Sequence, residues 1–175
     1  NNDERVVIES YIDIEPIYLY FITDGFNALP LISIERNKCE NFSTQTAPSS
    51  KLSEEMIVKI LKTAVYPLLD DISKYAGNYT GVIGLKTKIY KDNFCIIEVY
   101  NGFQEYDFQT FLSLLNEDLL KLLYDTTNGC LADNYDYIKL NNNYSYTIAL
   151  SRKDIKNTEN EFIESNDENK YIITN

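Results

Sequence analysis

The 175-residue chain contains no histidine and no tryptophan, and it has only six glycines and four prolines. Without histidine it cannot form, by itself, a Ser-His-Asp or Cys-His catalytic set, an HExxH zinc site or an imidazole general base. Its three cysteines, Cys39, Cys95 and Cys130, form no CxxC pair, so the sequence holds no zinc or redox motif of that kind. We interpret them as reduced, partly buried thiols of an intracellular protein.

The sequence also lacks long apolar runs and an excess of basic residues. No run approaches the roughly 20 residues that a membrane helix needs, and no signal-peptide pattern opens the chain. The chain carries 27 acidic and 16 basic residues, a formal net charge of −11. Because nucleic-acid affinity comes largely from Lys and Arg, this balance argues against a nucleic-acid partner. We therefore expect a cytoplasmic or nuclear protein whose partner is neither a membrane nor a nucleic acid.

The length and the apolar content of the chain are enough for one packed core, since 44% of the residues are hydrophobic. The sequence begins at Asn1 without a methionine, and we expect it to be a fragment of a longer protein. Residues 1–152 form the predicted domain, followed by a polar tail or terminal strand over 153–175. The fifteen tyrosines are spread along the chain, which favours a compositional bias over a dedicated interface.

The hydrophobic pattern predicts strands and helices in alternating groups. Strands are predicted over 6–12, 17–23, 28–34, 79–90, 93–100 and 144–151, and a polar loop over 35–50. A helix should begin after Ser53 and be kinked or split at Pro67, and a second helical region, 108–124, should be interrupted at an N-cap, Asn116. The strand 93–100 is nearly all apolar, so we expect it at the centre of the sheet, with Glu98 at its end. The predicted fold class is α+β, a mainly antiparallel sheet with helices packed on one face.

Short segments match, in order, the motifs of one enzyme family. Residues 6–13 resemble "VVxEEFLxGEE", 23–31 "LxDGxxxLPL", 79–85 "YxGVLYAGLM", 96–99 "VLEFN", 118–131 "DLxxLLxAxxxGxL" and 146–150 "ATVVLAS". Over about residues 6–151 the chain thus resembles phosphoribosylamine–glycine ligase (GAR synthetase), an ATP-grasp enzyme of purine synthesis. The resemblance implies one lobe of a two-lobed ATP clasp, with the preceding lobe absent from this sequence.

The resemblance also implies site residues. Glu98 falls on the Glu of "LEFN", which holds the metal that bridges the ATP phosphates, and we expect it to be a vestigial metal ligand. The alternative is an ordinary carboxylate at a strand end, paired with a nearby Lys or Arg. Glu9, Ile12 and Glu15 lie where the family contacts the nucleotide, although Pro16 departs from the family pattern.

Several departures from the family affect the chemistry. Tyr100 replaces the metal-binding Asn, and Gly102 replaces the Arg of "NxRFGDPE". Residues 35–39 stand where the family has "QDHKR" and contain no His, and residues 40–48 stand where it has "TGGMGAYSP" and contain no glycine.

These losses favour a catalytically inactive module without a cofactor, acting as a scaffold or protein-interaction domain of a larger intracellular protein. Two alternatives remain open. One is a divergent phosphoribosylamine–glycine ligase that uses ATP and Mg²⁺. The other is a lobe that binds a nucleotide without turning it over.

Overall fold

The computed structural model describes residues 11–38, 42–104 and 106–150, and within them the chain forms one antiparallel sheet with helices. The strands of the described chain are β1 (Ile17–Thr23), β2 (Ala28–Lys38), β3 (Phe42–Ala47), β4 (Gly81–Tyr90), β5 (Asn93–Tyr100) and β6 (Ser145–Leu150). They lie in the order β5-β4-β1-β2-β3-β6, and every neighbouring pair is antiparallel. The predicted α+β class and antiparallel sheet are confirmed.

Helices pack on both faces of this sheet, so the prediction of helices on one face is wrong. On the first face lie α1 (Glu54–Ile60), a π-helical segment (Leu61–Val65) and α2 (Tyr66–Ala76). On the second lie α3 (Asp107–Leu112), α4 (Leu119–Thr127) and α5 (Leu131–Asn134). Successive side chains of a strand point to opposite faces, and central β1 is apolar at nearly every position. Both faces of β1 therefore need a cover.

Most predicted strands are confirmed, and two details of the sheet differ. The prediction of a loop over 35–50 is wrong, because β2 continues to Lys38 and β3 pairs with both β2 and β6. Sheet pairing on both sides outweighs the polar composition of this segment. The strand 93–100 is confirmed, but in the sheet that the described residues form it is an edge strand and not a central one. Phe94 and Ile96 pack towards α1 and α2, while Ile97 and Val99 stay exposed.

The helix boundaries follow recognisable signals. Ser53 caps α1 as predicted, since its Oγ accepts a hydrogen bond from Met56 N at 3.2 Å. The π-helical segment ends directly before α2, whose first turn contains Pro67. An irregularity in the helix is expected there, because proline has no N–H to donate to helical hydrogen bonding. Asn116 is not the second cap. Its backbone N–H donates to the carbonyl of Lys139 at 2.9 Å, and Asp118 caps α4.

The predicted strand 6–12 lies largely outside the described residues, and its last two residues, Tyr11 and Ile12, are not in a strand. The polar tail or terminal strand predicted over 153–175 and the domain boundary at residue 152 also lie outside the described residues. None of the helices that the structure describes has the length and apolarity to cross a membrane.

Candidate functional site

The candidate site lies on the face of the sheet that carries α3. Cross-strand pairing aligns Tyr18 with Lys86 and Glu98 in one row, and Tyr20 with Gly84 and Tyr100 in the next. Tyr18 and Tyr20 pack with the apolar cluster under α3 to α5, so both rows share that face. The predicted metal ligand Glu98 therefore shares this face with Tyr100, the residue that replaces the Asn of the family motif.

Glu98 is engaged by two neighbours. Its Oε2 accepts a hydrogen bond from the Tyr100 hydroxyl and lies 3.4 Å from Lys86 Nζ. The Tyr100 hydrogen bond, assisted by the Lys86 charge, holds the pKa of Glu98 below its usual value. Burial, the hydrogen bond to Glu98 and the Glu98 charge raise the pKa of Tyr100 far above its usual value. The phenol thus stays protonated and donates to the carboxylate.

This donor set does not fit Mg²⁺. Magnesium prefers several oxygen ligands in near-octahedral geometry, whereas Glu98 is surrounded by a neutral phenol and an ammonium group. Among the described residues, no group of three or more His, Cys, Asp or Glu side chains could hold a metal ion.

A buried polar cluster lies next to this row, and sequence reasoning missed it. Arg36 on β2 donates from Nε to Asp107 Oδ1 at 3.0 Å and from Nη2 to Oδ2 at 2.5 Å. The Tyr20 hydroxyl donates to the same Oδ2 at 2.5 Å, and Gln104 N donates to that hydroxyl oxygen at 3.2 Å. The Arg36 guanidinium also stacks 3.8 Å above the Tyr18 ring. The cluster fixes the start of α3 on the sheet.

Burial and the Asp107 carboxylate shape the ionisation of this cluster. Burial and the negative charge of Asp107 raise the pKa of Tyr20 far above its usual value. Burial opposes the charge of Arg36, but the hydrogen bonds and charge of Asp107 outweigh it and raise the pKa of Arg36. Tyr20 is therefore a hydrogen-bond donor and Arg36 a fixed cation. The one signal in the sequence was that Arg36 falls within residues 35–39, a segment that departs from the family motif.

Gln45 extends this polar region along the sheet. It pairs with Arg36 on one side and with Thr147 on the other. Thr147 Oγ1 is 2.8 Å from Thr110 Oγ1 of α3, so this row also faces α3. Gln45 is fully buried, and within the described structure neither its amide nitrogen nor its amide oxygen has a hydrogen-bond partner.

The residues predicted to contact a nucleotide are only partly described. Glu9 lies outside the described residues, and Glu15 is exposed. The carbonyl of Ile12 accepts hydrogen bonds from Lys88 Nζ at 2.5 Å and from Ile14 N at 3.0 Å. Strand alternation puts Lys88 on the same face of β4 as Lys86, so Ile12 and Glu98 are tied to neighbouring positions of one strand. Their role in nucleotide binding stays a prediction.

Comparisons with known proteins agree with this architecture. No family model matches the chain. It is 24% identical over 159 residues to the human trifunctional purine biosynthetic protein adenosine-3, covering 86% of this chain and 16% of that protein. It is 25% identical over 136 residues to the phosphoribosylamine–glycine ligase of Brucella melitensis, covering 73% of this chain and 32% of the ligase. The chain thus spans a third or less of the length of these relatives.

A solved structure shows the fold. The crystal structure of phosphoribosylamine–glycine ligase from Thermotoga maritima superposes with a TM-score of 0.59 at 12% identity, covering 69% of this chain and 33% of that one. The described residues therefore form an ATP-grasp-like α+β lobe. Together with the sequence matches, this shows that the chain is related, at low identity, to the phosphoribosylamine–glycine ligases.

Proposed function

We propose that the chain is a non-catalytic, ligase-related module that acts as a scaffold or protein-interaction domain of a larger intracellular protein. The observation that carries this proposal is the pairing of Glu98 with Tyr100 and Lys86. The carboxylate that matches the family's metal ligand already has a hydrogen-bond donor and a cation. A metal ion there would have to displace both partners without gaining the amide oxygen that Tyr100 replaces.

The segment that matches the family's glycine-rich loop supports the same conclusion. In such a loop, small residues let backbone amides approach a ligand. Here the described part of the segment is the strand β3, which is paired on both sides, with β2 and with β6. Its backbone amides are therefore committed to the sheet. Gly102, at the position of the family's Arg, offers no side chain to a phosphate.

A titration with Mg-ATP tests the proposal. We expect neither heat in calorimetry nor a rise in melting temperature at millimolar nucleotide, for this chain and for the full-length protein. Glu98→Gln should change stability only slightly, like the control Asp71→Asn at an exposed carboxylate of α2. A melting shift with Mg-ATP that Glu98→Gln removes and Asp71→Asn keeps would contradict the proposal.

The same titration separates the two alternatives. Phosphate release in the presence of phosphoribosylamine and glycine would identify a divergent ligase that uses ATP and Mg²⁺. Binding without phosphate release would identify a lobe that holds a nucleotide as a ligand, with Ile12 and Glu15 as the described residues to test first. The intracellular location and the existence of a protein partner are parts of this proposal.

A further inference from the structure

The two outer strands of the sheet differ in how well they are protected against pairing with another strand. On β5 the register shifts between Lys86 and Thr87 of its neighbour, which leaves Ile97 as an extra, bulged residue. Glu98 adds a charge directly after this bulge. Bulges and charges are the devices by which proteins prevent edge strands from pairing. The β5 edge is therefore protected.

Strand β6 has none of these devices. Its sequence, SYTIAL, contains no charged residue, no proline and no glycine. Its pairing with β3 runs without a register shift from Phe42 opposite Leu150 to Ala47 opposite Ser145. Within the described residues β3 is its only strand neighbour. A regular, uncharged outer strand is a template for another strand.

Two large apolar side chains on β6 are exposed together. The exposed fraction is 60% for Tyr146 and 54% for Ile148. Because Thr147 contacts α3 on one face, alternation puts Tyr146 and Ile148 on the other face. Phe42 on β3 and Tyr144, just before β6, are also exposed. In the part of the chain that the structure describes, β6 thus combines an edge without a bulge or a charge with exposed apolar side chains.

We propose that β6 pairs antiparallel with β6 of a second copy of this chain and continues the sheet across a two-fold axis. When Thr147 lies opposite Thr147 of the second copy, Tyr146 lies opposite Ile148 of that copy, and the reverse. Aromatic and β-branched residues directly opposite each other are favourable cross-strand pairs. The strand is thus complementary to itself, as a two-fold interface requires.

The charge distribution selects this edge for self-association. A chain of net charge −11 repels its own copy, so a self-contact is favoured where charges are absent. Residues 140–150 and the strand β3 behind them contain no charged residue. The pairing is equally compatible with a catalytic and a non-catalytic module, and so it does not rest on the proposed loss of catalysis.

Analytical ultracentrifugation across a concentration series tests the proposal with two matched variants. Ile148→Lys puts an ammonium group into the pairing, whereas Val99→Lys, at a side chain of similar exposure (49%), changes the protected β5 edge. We expect a dimer for the wild type and for Val99→Lys, and a dimer at least about tenfold weaker for Ile148→Lys. A wild type that stays monomeric up to about 1 mM, or equal weakening by both variants, would overturn the proposal.

Amide exchange of the wild type gives a second measurement that does not depend on a variant folding. We expect amides of β6 to gain protection as the protein concentration rises, while amides of β5 do not. Protection of β6 that is the same at every concentration would show that the chain covers its own edge. A gain confined to β5 would place the contact elsewhere, and either result overturns the proposal.

Discussion

The side chain of Arg36 binds the carboxylate of Asp107 in a two-point contact that joins residues 71 positions apart in the sequence. Asp107 is completely buried, and the Arg36 side chain is only 15% exposed. The Tyr20 hydroxyl donates to the same carboxylate. The start of α3 is therefore held on the sheet by a charged hydrogen-bond cluster in addition to apolar packing.

Removing the cation from this cluster should be costly. Arg36→Met keeps much of the side-chain length but leaves the buried Asp107 carboxylate without its charge partner, so we expect a loss of about 3–5 kcal/mol in the free energy of unfolding. Urea denaturation followed by circular dichroism measures this loss. Lys74→Met is the control, because Lys74 pairs with Asp70 and Asp71 on the exposed surface of α2 and should contribute little.

The double variant Arg36→Met, Asp107→Leu separates the buried charge from the packing. Replacing both residues by apolar groups removes the buried carboxylate whose charge Arg36 no longer balances, so stability should recover in part relative to Arg36→Met alone. A cost below about 1 kcal/mol for the single variant would show that the cluster does not hold α3.

Gly84 is required by the position of the Tyr20 ring. A Cβ atom at residue 84 would lie 2.7 Å from Cε1 of Tyr20 and 3.1 Å from the carbonyl oxygen of Gly102. Because Tyr20 is fixed by its hydrogen bond to Asp107, Gly84→Ala should lower the free energy of unfolding by about 1–3 kcal/mol. Chemical denaturation measures it. In a Tyr20→Leu background the cost of Gly84→Ala should shrink, and an equal cost in both backgrounds would assign it to a different contact.

The Asp24 carboxylate should contribute to the acid sensitivity of the fold. Burial opposes its ionisation, but hydrogen bonds from the backbone N–H groups of Asn27, Phe26 and Leu131 outweigh burial and hold the pKa of Asp24 below its ordinary value of 3.8. A lowered folded-state pKa adds stability above the unfolded-state pKa, and this contribution is lost as the pH falls through the folded-state value.

We therefore expect Asp24→Asn to be less stable than the wild type near neutral pH, with the difference shrinking below about pH 4. Urea denaturation at a series of pH values measures this convergence. Asp71→Asn, at an exposed carboxylate of α2, is the matched control. A difference for Asp24→Asn that stays constant with pH would mean that its carboxylate is not preferentially ionised in the folded state.

The parts of the fold that the sequence predicted carry local signals. The strand 17–23 is an apolar run that ends at the Asp24-Gly25 turn, and Ser53 begins its helix with a side-chain cap. Strand β3 was missed because its polar side chains give no hydrophobic pattern, and its conformation comes from pairing with β2 and β6. The two-sided helix packing also needed the position of β1 in the sheet, which composition does not specify.

In the candidate site, too, some residues could be predicted from the sequence and others could not. Glu98 could be proposed from its place at the end of a strand and from the family motif. The contact between Arg36 and Asp107 could not, because it depends on how β2 and α3 meet in space. The hydrogen bond from Tyr100 to Glu98 is intermediate. Residues two apart on a strand share a face, but only the structure shows that the Tyr100 hydroxyl lies next to the Glu98 carboxylate.

Gln45 offers a test of whether the polar region under α3 favours stability. Its amide is buried without a partner among the described residues, and an unsatisfied buried polar group costs about 1–3 kcal/mol. Gln45→Leu keeps a similar volume and removes the polar atoms, so we expect the free energy of unfolding to rise by about 1–2 kcal/mol. Thermal and urea denaturation measure the change.

Gln45→Ala is the control, because it removes the same amide but leaves a cavity, and it should not stabilise the protein. A loss of stability in Gln45→Leu as large as in Gln45→Ala would show that the amide makes favourable hydrogen bonds in solution, and that the row from Arg36 to Thr147 is a satisfied polar network.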